Sequence, residues 1–389
     1  MLNWRDSGHP EGGGSELYVE SVAAGLVADG HEVTLFTAQY DGAPPSEVRN
    51  GVRILRAGGR FTVYLRSVLR LMLRRAGRFD VVVDVQNGMP FLSRPFTRLP
   101  VVVLCHHVHR EQWSIAFGDN RAGRFAARFG WWVESRLAPL VYRGCRYVTV
   151  SEISKADLVA LGVRASDVTV VHNGTPPAVV SGERSPSPEI LVLGRLVPHK
   201  RVEHAVRALD ALRSEIPELR LTIVGHGWWE PEIRAEIDRL GLGHRVEVEG
   251  FVDGATKHRL LSRAWVLATP SVKEGWGLCV VEAAVHGTPS VAYRSAGGLA
   301  ESILDGRTGL LSDDSEPAFV AELRRLLTDD LLRTRTGRAA CAHAERFTWA
   351  ATTAAFGRVL AEVTGTEPLV IPSPRVHEEQ LPAGSLSVG

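Results

Sequence analysis

Short apolar runs, each closed by a turn or a small-residue loop and followed by a longer segment with helical spacing, recur along the whole chain. In the first half, His31–Thr37, Val52–Arg56, Asp80–Val85, Val101–His106, Tyr147–Ser151 and Val168–His172 read as strands. In the second half, Ile190–Gly194, Leu219–Gly225, Val246–Glu249 and Trp265–Pro270 repeat the pattern. Helical segments lie between most of them, including Val202–Ser214 and Leu278–His286, and two more follow near Pro317–Leu327 and Thr348–Val363. Such alternation predicts an α/β chain of parallel, doubly wound sheets, whose ligands lie outside the carboxyl ends of the strands. Met1–Trp4 reads as the last residues of a further strand, followed by Gly12-Gly13-Gly14 and a helix from Ser15, as N-cap, to Asp29, with Gly30 as its stop. With only Met1 and Leu2 ahead of Asn3, the expectation is a start upstream of Met1 or an unusually short first strand.

Two segments add charge to the pattern. Phe61–Arg78 spaces Arg66, Arg70 and Arg74 four apart with Leu65, Leu69, Met72 and Leu73 on other faces, and Ala122–Tyr142 carries Trp131 and Trp132. A basic amphipathic helix can lie on anionic lipid, but a sheet-covering helix with a solvated face has the same spacing, and the latter is the reading adopted for both.

The chain has 389 residues, enough for two domains with separate cores, and its 44% apolar and 23% charged residues are globular in character. Its net charge of +1 argues against a dedicated nucleic-acid binder. That balance hides an asymmetry: Arg49–Arg146 holds eighteen Arg, no Lys and five acidic residues, a net of +13 that leaves −12 elsewhere. Such a basic half suits an anionic acceptor or membrane surface. Cys105, Cys145, Cys279 and Cys341 show no CxxC spacing, and no apolar run approaches the ~20 residues of a membrane span, so the expected setting is the cytoplasm, with peripheral contact at the inner membrane face as the companion expectation.

Candidate chemistry gathers at strand ends. After the run Trp265–Pro270 comes Glu274-Gly275-Trp276-Gly277-Leu278, then Glu282 inside the following helix. A helix N-terminus beside glycines is an anion site, and carboxylates there are suited to vicinal hydroxyls attached to that anion, although Glu274 could also merely complement the helix dipole. Arg195 and Lys200, between a strand and a helix, are a second phosphate-side feature, with Arg able to bridge two oxygens and Lys acting as a point charge. His106 and His107 follow Val101–Cys105, on the side where a cleft is expected. His107 and His109 read as weaker candidates than His106, and His-His-x-His fits no common metal spacing.

Glu274 and Glu282 with seven residues between them, continuing through Ala283-Ala284, Gly287-Thr288-Pro289, Gly297-Gly298, Glu301 and Asp305-Gly306-Arg307-Thr308-Gly309, resemble the signature of family 4 retaining glycosyltransferases with the GT-B fold. The resemblance implies two Rossmann-like domains facing across a cleft: residues 1–175 for the acceptor, a linker at 176–188, residues 189–345 for the nucleotide sugar, a helix at 346–364 crossing back to the first domain, and a disordered tail at 365–389. It also implies transfer of a sugar from a nucleotide diphosphate sugar to an acceptor hydroxyl, with retention and with neither metal nor cofactor; no Asp-x-Asp occurs in the chain. By the same resemblance Arg195 and Lys200 hold the diphosphate, Gly13 and Gly14 admit it to the backbone, Glu274 holds the sugar, Glu282 the ribose, and His106 the sugar or leaving group. Gly275, Trp276, Gly277 and Leu278 complete the donor loop, Gly225 and Val252 mark strand ends near the base, and Glu16, His107 and Asn173 face the acceptor or cleft. A sugar-nucleotide epimerase, a sugar phosphorylase and a non-catalytic nucleotide-sugar binder stand as alternatives.

Overall fold

The computed structural model describes residues 1–73, 78–110, 112–113, 120–176 and 182–366. Arg74, residues 177–181 of the expected linker and residues 367–389 of the expected tail lie outside them. The first half contains β1 (Thr34–Thr37), β2 (Ser46–Arg49), β3 (Val52–Arg56), β4 (Val82–Gln86), β5 (Val101–Cys105), β6 (Arg146–Thr149) and β7 (Val168–Val170). These form two groups, β1-β3-β2 and β4-β5-β6-β7. The N-terminal segment lies between them, with Leu2 bridging in parallel to both Phe36 and Asp84. Its N–H donates to the Val83 carbonyl at 2.7 Å and its own carbonyl accepts from Val85 at 2.9 Å. A segment too short to stand as a strand therefore supplies the seam that joins the sheet.

All five residues of β5 are buried, which accounts for an unbroken apolar run: both faces of this central strand are covered. β2, missed in the sequence, runs antiparallel to β3 and alternates between exposed and half-buried positions, an edge strand with a weak apolar signal.

The second half is one parallel six-stranded sheet in the order β10-β9-β8-β11-β12-β13. Its strands are β8 (Glu189–Leu193), β9 (Arg220–Val224), β10 (Val246–Gly250), β11 (Val266–Thr269), β12 (Ser290–Tyr293) and β13 (Gly309–Ser312). One core lies within this half, around Leu191, Val206, Ile223, Leu267 and Phe319. A second joins the halves: Tyr18, Val22, Val102 and Val148 pack in one cluster with Trp276, Val281, Ala340, Phe347 and Phe356. Helix Asp330–Ala344, absent from the sequence reading, and helix Trp349–Thr364 bring the last three of these into place.

Several local readings need correction. Ser15 does not cap the first helix, which runs Gly14–Ala28 from an N-cap at Gly13. The Ser15 hydroxyl instead donates to Glu16 at 2.8 Å and accepts from Asn87 at 2.9 Å. The segment Ala122–Tyr142 is not one regular helix; helix Arg121–Trp132 passes through a π-helical turn at Val133–Leu137 into Ala138–Val141. Nor do helices Thr62–Met72 and Arg121–Trp132 present only charge to water. Leu65, Leu69 and Met72 on one and Phe125, Phe129 and Trp132 on the other are exposed, while Val63, Ser67, Gly123, Ala127 and Gly130 face inward. On the second helix the inner positions are small because neighbours come close: a Cβ on Gly130 would lie 2.6 Å from the Trp113 ring.

Helix Trp349–Thr364 lies against helix Gly14–Ala28 so closely that a Cβ at Gly25 would collide with the Thr353 hydroxyl and sit 2.7 Å from its methyl. Gly25→Val should therefore cost about 1–3 kcal/mol through overpacking. Urea unfolding monitored by tryptophan fluorescence checks this, and an unchanged midpoint would mean that the helix is not docked at this site.

Candidate active site

The carboxyl ends of β5, β8, β9 and β11 and the loop before the first helix open into a single cleft of about 1430 Å³ between the two halves. Its wall includes Gly13, Gly14, His106, His107, Asn173, Arg195, Lys200, Gly225, Val252, Glu274 to Leu278 and Glu282. Residues far apart in sequence are thus brought to one place because parallel strands deliver their following loops to the same edge.

On the second-half wall, β8 ends at Leu193 and the chain makes one 3-10 turn, Pro198–Lys200. Arg201, at φ 48°, then takes the left-handed conformation from which helix Val202–Leu212 starts. That turn aims Lys200 at Glu274, with which it forms a close ion pair. Burial pushes the Glu274 carboxyl up, but the Lys200 ammonium, together with hydrogen bonds from Lys200 and Ser271, holds it below the usual carboxylate range. Glu282, nearly buried, makes a second pair, with Lys257 at 2.6 Å. Both carboxylates of the motif are therefore paired with lysines.

Arg195 reaches the opposite wall: a Cβ on Gly13 would lie 3.6 Å from its Nε. Burial, and then the charge of Arg5, push its guanidinium pKa down. Gly14 faces Leu278 across the cleft, where a Cβ would meet the Leu278 side chain at 3.6 Å. At Gly275 the approach is closer still, because any Cβ there would collide with the His106 carbonyl oxygen. The loop thus requires glycine for contact between the halves.

His106 is buried edge-on against Tyr18, with ring centroids 5.1 Å apart. Burial lowers its pKa to about 4, so the ring is neutral at ordinary pH. Its Nε2 is buried without a hydrogen-bond partner, as is the Asn173 Oδ1. Orphaned polar atoms on a cleft wall are where a polar ligand gains most, since each costs free energy until it is paired. His107 stacks on His109 at 4.0 Å and meets Gln112 at 3.3 Å. Glu134, fully buried in the π-helical turn, accepts from the His109 N–H at 2.8 Å and the Trp113 Nε1 at 2.9 Å and so fixes this corner of the wall.

Two expected site residues do not offer their side chains to the cleft. Glu16 lies beneath the wall, fully buried, and its carboxylate is occupied by Arg5 at 3.0 Å, the Gly13 N–H at 2.8 Å and Asn87 at 3.0 Å. It shapes the glycine loop and is not open to an acceptor. Trp276 borders the cleft, but its ring is 3% exposed, stacked on His172 at 4.5 Å and edge-on to Phe347 at 5.0 Å. Its indole serves the shared core.

Sequence reasoning missed Lys257 and Lys273. Lys273 pairs with Asp157 across the halves at 2.7 Å, beside the Glu301 carboxylate that accepts from the Glu152 N–H at 2.7 Å. The available signal was scarcity: the chain has four lysines, and Lys200, Lys257 and Lys273 all line this cleft. His226 adds a further cross-cleft contact, to the Pro10 carbonyl at 2.5 Å. Among the described residues no cluster of three or more His, Cys, Asp or Glu is placed to hold a metal ion.

The chain is similar to known proteins in both halves. Residues 12–179 match the model of "Glycosyltransferase Family 4", and residues 179–343 that of "Glycosyl transferases group 1". A D-inositol 3-phosphate glycosyltransferase of Nocardioides is 29% identical over 88% of this chain and 83% of its own. Among solved structures, sucrose-phosphate synthase from Thermosynechococcus elongatus superposes with a TM-score of 0.80 at 20% identity, covering 94% of this chain and 98% of the other. Anabaena HepE, solved in complex with UDP and glucose, gives 0.73 at 20% identity, covering 92% and 98%. With both halves matched in order, the epimerase, phosphorylase and non-catalytic readings are set aside: the chain belongs to the family 4, group 1 glycosyltransferases and has the GT-B fold.

Proposed function

We propose that the donor is a nucleoside diphosphate sugar, that its sugar passes to an acceptor hydroxyl with retention at the anomeric carbon, and that no metal takes part. The observation that carries this reading is the pairing of Glu274 with Lys200 and of Glu282 with Lys257 on one wall, beside Arg195. Cations and carboxylates alternate there, as a ligand requires whose negative diphosphate sits between two hydroxyl-bearing rings. Arg195 and Lys200 take the diphosphate, Glu274 the hydroxyls of the transferred sugar, and Glu282 the ribose, with Lys257 orienting Glu282. The strand ends at Gly225 and Val252 lie nearest the base. HepE, of the same fold, was solved with UDP and glucose, which supports a nucleotide donor here.

In the reaction the anomeric carbon–oxygen bond to the diphosphate breaks, its electron pair leaving with the phosphate, and the acceptor oxygen bonds to the anomeric carbon. Retention, which rests on the family signature, places acceptor and departing phosphate on one face of the sugar, where the phosphate oxygen can take the hydroxyl proton. Arg195 and Lys200 stabilise the charge that builds on that phosphate, the role a metal plays elsewhere. Neutral His106 and Asn173 offer their unpartnered atoms to sugar hydroxyls. The basic first half takes the acceptor in a cytoplasmic setting; among the described residues no helix is long and apolar enough to cross a membrane.

The test is a panel of nucleoside diphosphate sugars incubated with the protein and candidate acceptors, with nucleoside diphosphate release and the product anomer read by NMR. Release with retained configuration is expected. Glu274→Ala should lower kcat by about tenfold to a thousandfold at saturating donor, as for loss of a contact that positions or stabilises the reacting sugar. Transfer within about threefold of wild type would remove Glu274 from that role.

His106 carries a pH signature. Because burial lowers its folded pKa to about 4, the unfolded chain, near 6.5, binds the proton first. Its contribution to stability is full above about pH 6.5 and is lost as pH falls toward 4, by at most about 1.4 kcal/mol per pH unit. His199 and His286 are also lowered to about 4, mainly by burial, and add to the same slope. Urea titrations across this range should show a shallower acid decline for His106→Asn than for wild type, and parallel curves would contradict a neutral, buried ring.

A further inference from the structure

Helices Thr62–Met72 and Arg121–Trp132, with the segment after the latter, present an apolar surface to solvent at the mouth of the cleft. Among the described residues, nine of the sixteen exposed large apolar side chains fall here: Phe61, Leu65, Leu69, Met72 and Leu73, and Phe125, Phe129, Trp132 and Leu140. The rest are scattered over other elements, as is ordinary for a soluble surface. In each helix the exposed residues recur at i, i+4 and i+7, so they form a stripe: Leu65, Leu69 and Met72 in one, Phe125, Phe129 and Trp132 in the other. Both stripes reach the cleft, because Phe61, Tyr64 and Phe129 also line it.

The charge beside these stripes is predominantly positive. Neither helix contains an acidic residue, and Arg66, Arg121, Arg128 and Arg136 are exposed around them. Among the described acids closest to them in sequence, Asp80 is exposed but two others are turned inward. Asp84 is buried and accepts from Phe91 and Ser93 at 3.1 Å, and Glu134 is buried under His109 and Trp113. A second copy of the chain would set one arginine-rich face against another, and an acidic protein partner would leave the aromatic stripes unexplained. Large apolar and aromatic side chains flanked by arginine, on helices that lie along the surface, fit the boundary between headgroups and acyl chains of an anionic bilayer.

We propose that this surface docks the protein on an anionic lipid bilayer, with the acceptor side of the cleft opening at the membrane plane. The proposal rests on the glycosyl-transfer reading only for what enters the cleft; the docking itself stands on the two helices. It is tested by flotation of the full chain with vesicles of phosphatidylcholine alone and of phosphatidylcholine mixed with phosphatidylglycerol. Binding is expected to the mixed vesicles, weaker to the neutral ones, and reduced by salt. Two double variants, Leu65→Ser with Leu69→Ser and Phe125→Ser with Trp132→Ser, should each lower partitioning by about tenfold or more. Arg66→Glu with Arg128→Glu should abolish the preference for anionic lipid. All the substituted positions are outside the donor half, and all stand on the surface, so thermal protection by a nucleotide sugar should persist in every variant. Loss of that protection in the wild type would count against the donor reading and leave the docking result standing. No flotation with mixed vesicles at low salt, or variants that float like wild type, would overturn the proposal. So would a wild-type dimer in sedimentation velocity that the serine variants dissolve, since the face would then join two copies.

Discussion

The ion pair between Lys200 and Glu274 is the constraint on which the site depends. In the proposed reading, a wall that takes a diphosphate and its attached sugars must carry cations and carboxylates within a few ångströms. Without mutual pairing the carboxylates would repel the phosphate and the buried charges would be costly. Here each motif carboxylate has its own lysine, Lys200 for Glu274 and Lys257 for Glu282, and the guanidinium of Arg195 reaches toward the glycine loop of the other half. The wall is charged and internally compensated before any ligand arrives. In the proposed reading a donor then exchanges partners with groups already oriented, which is how electrostatic preorganisation acts.

The same geometry ties the halves together. Gly275 lies against the His106 carbonyl, Gly14 against Leu278, and Lys273 against Asp157, so the two walls of the cleft touch at close range. Behind them the core is shared: Trp276 stacks on His172 and meets Phe347, and helix Trp349–Thr364 packs back on helix Gly14–Ala28. Trp276, two positions after Glu274, is therefore also part of the packing between the halves, so a shift of the halves would move the glycine loop with it.

The alternation of apolar runs and helices carried the architecture because a parallel strand covered on both faces, such as Val101–Cys105, leaves a strong signal. Elements with one polar face left less, and Ser46–Arg49 went unread. In the site, residues tied to backbone approach were legible, since glycines such as Gly275 have few other reasons to stand at a strand end. Lys257 was not, because its partner Glu282 is 25 residues away on another helix and only folding pairs them. Glu16 shows the opposite error: a carboxylate beside a glycine loop reads as a ligand group, but Arg5 and the Gly13 N–H claim it. In helix Thr62–Met72 the spacing revealed a stripe but not its direction, which is set by Val63 and Ser67 being the residues that the rest of the domain buries.

The most direct measurement is calorimetry of a free nucleoside diphosphate and of its sugar-bearing form against wild type and Glu274→Gln. If the Glu274 carboxylate competes with the diphosphate for Lys200 and binds the hydroxyls of the sugar, its removal frees the lysine. The free nucleoside diphosphate should then bind the variant at least as tightly as wild type, while the additional affinity contributed by the sugar falls. Equal weakening of both ligands would contradict the account, because it would make Glu274 a support for the nucleotide rather than the group that holds the sugar.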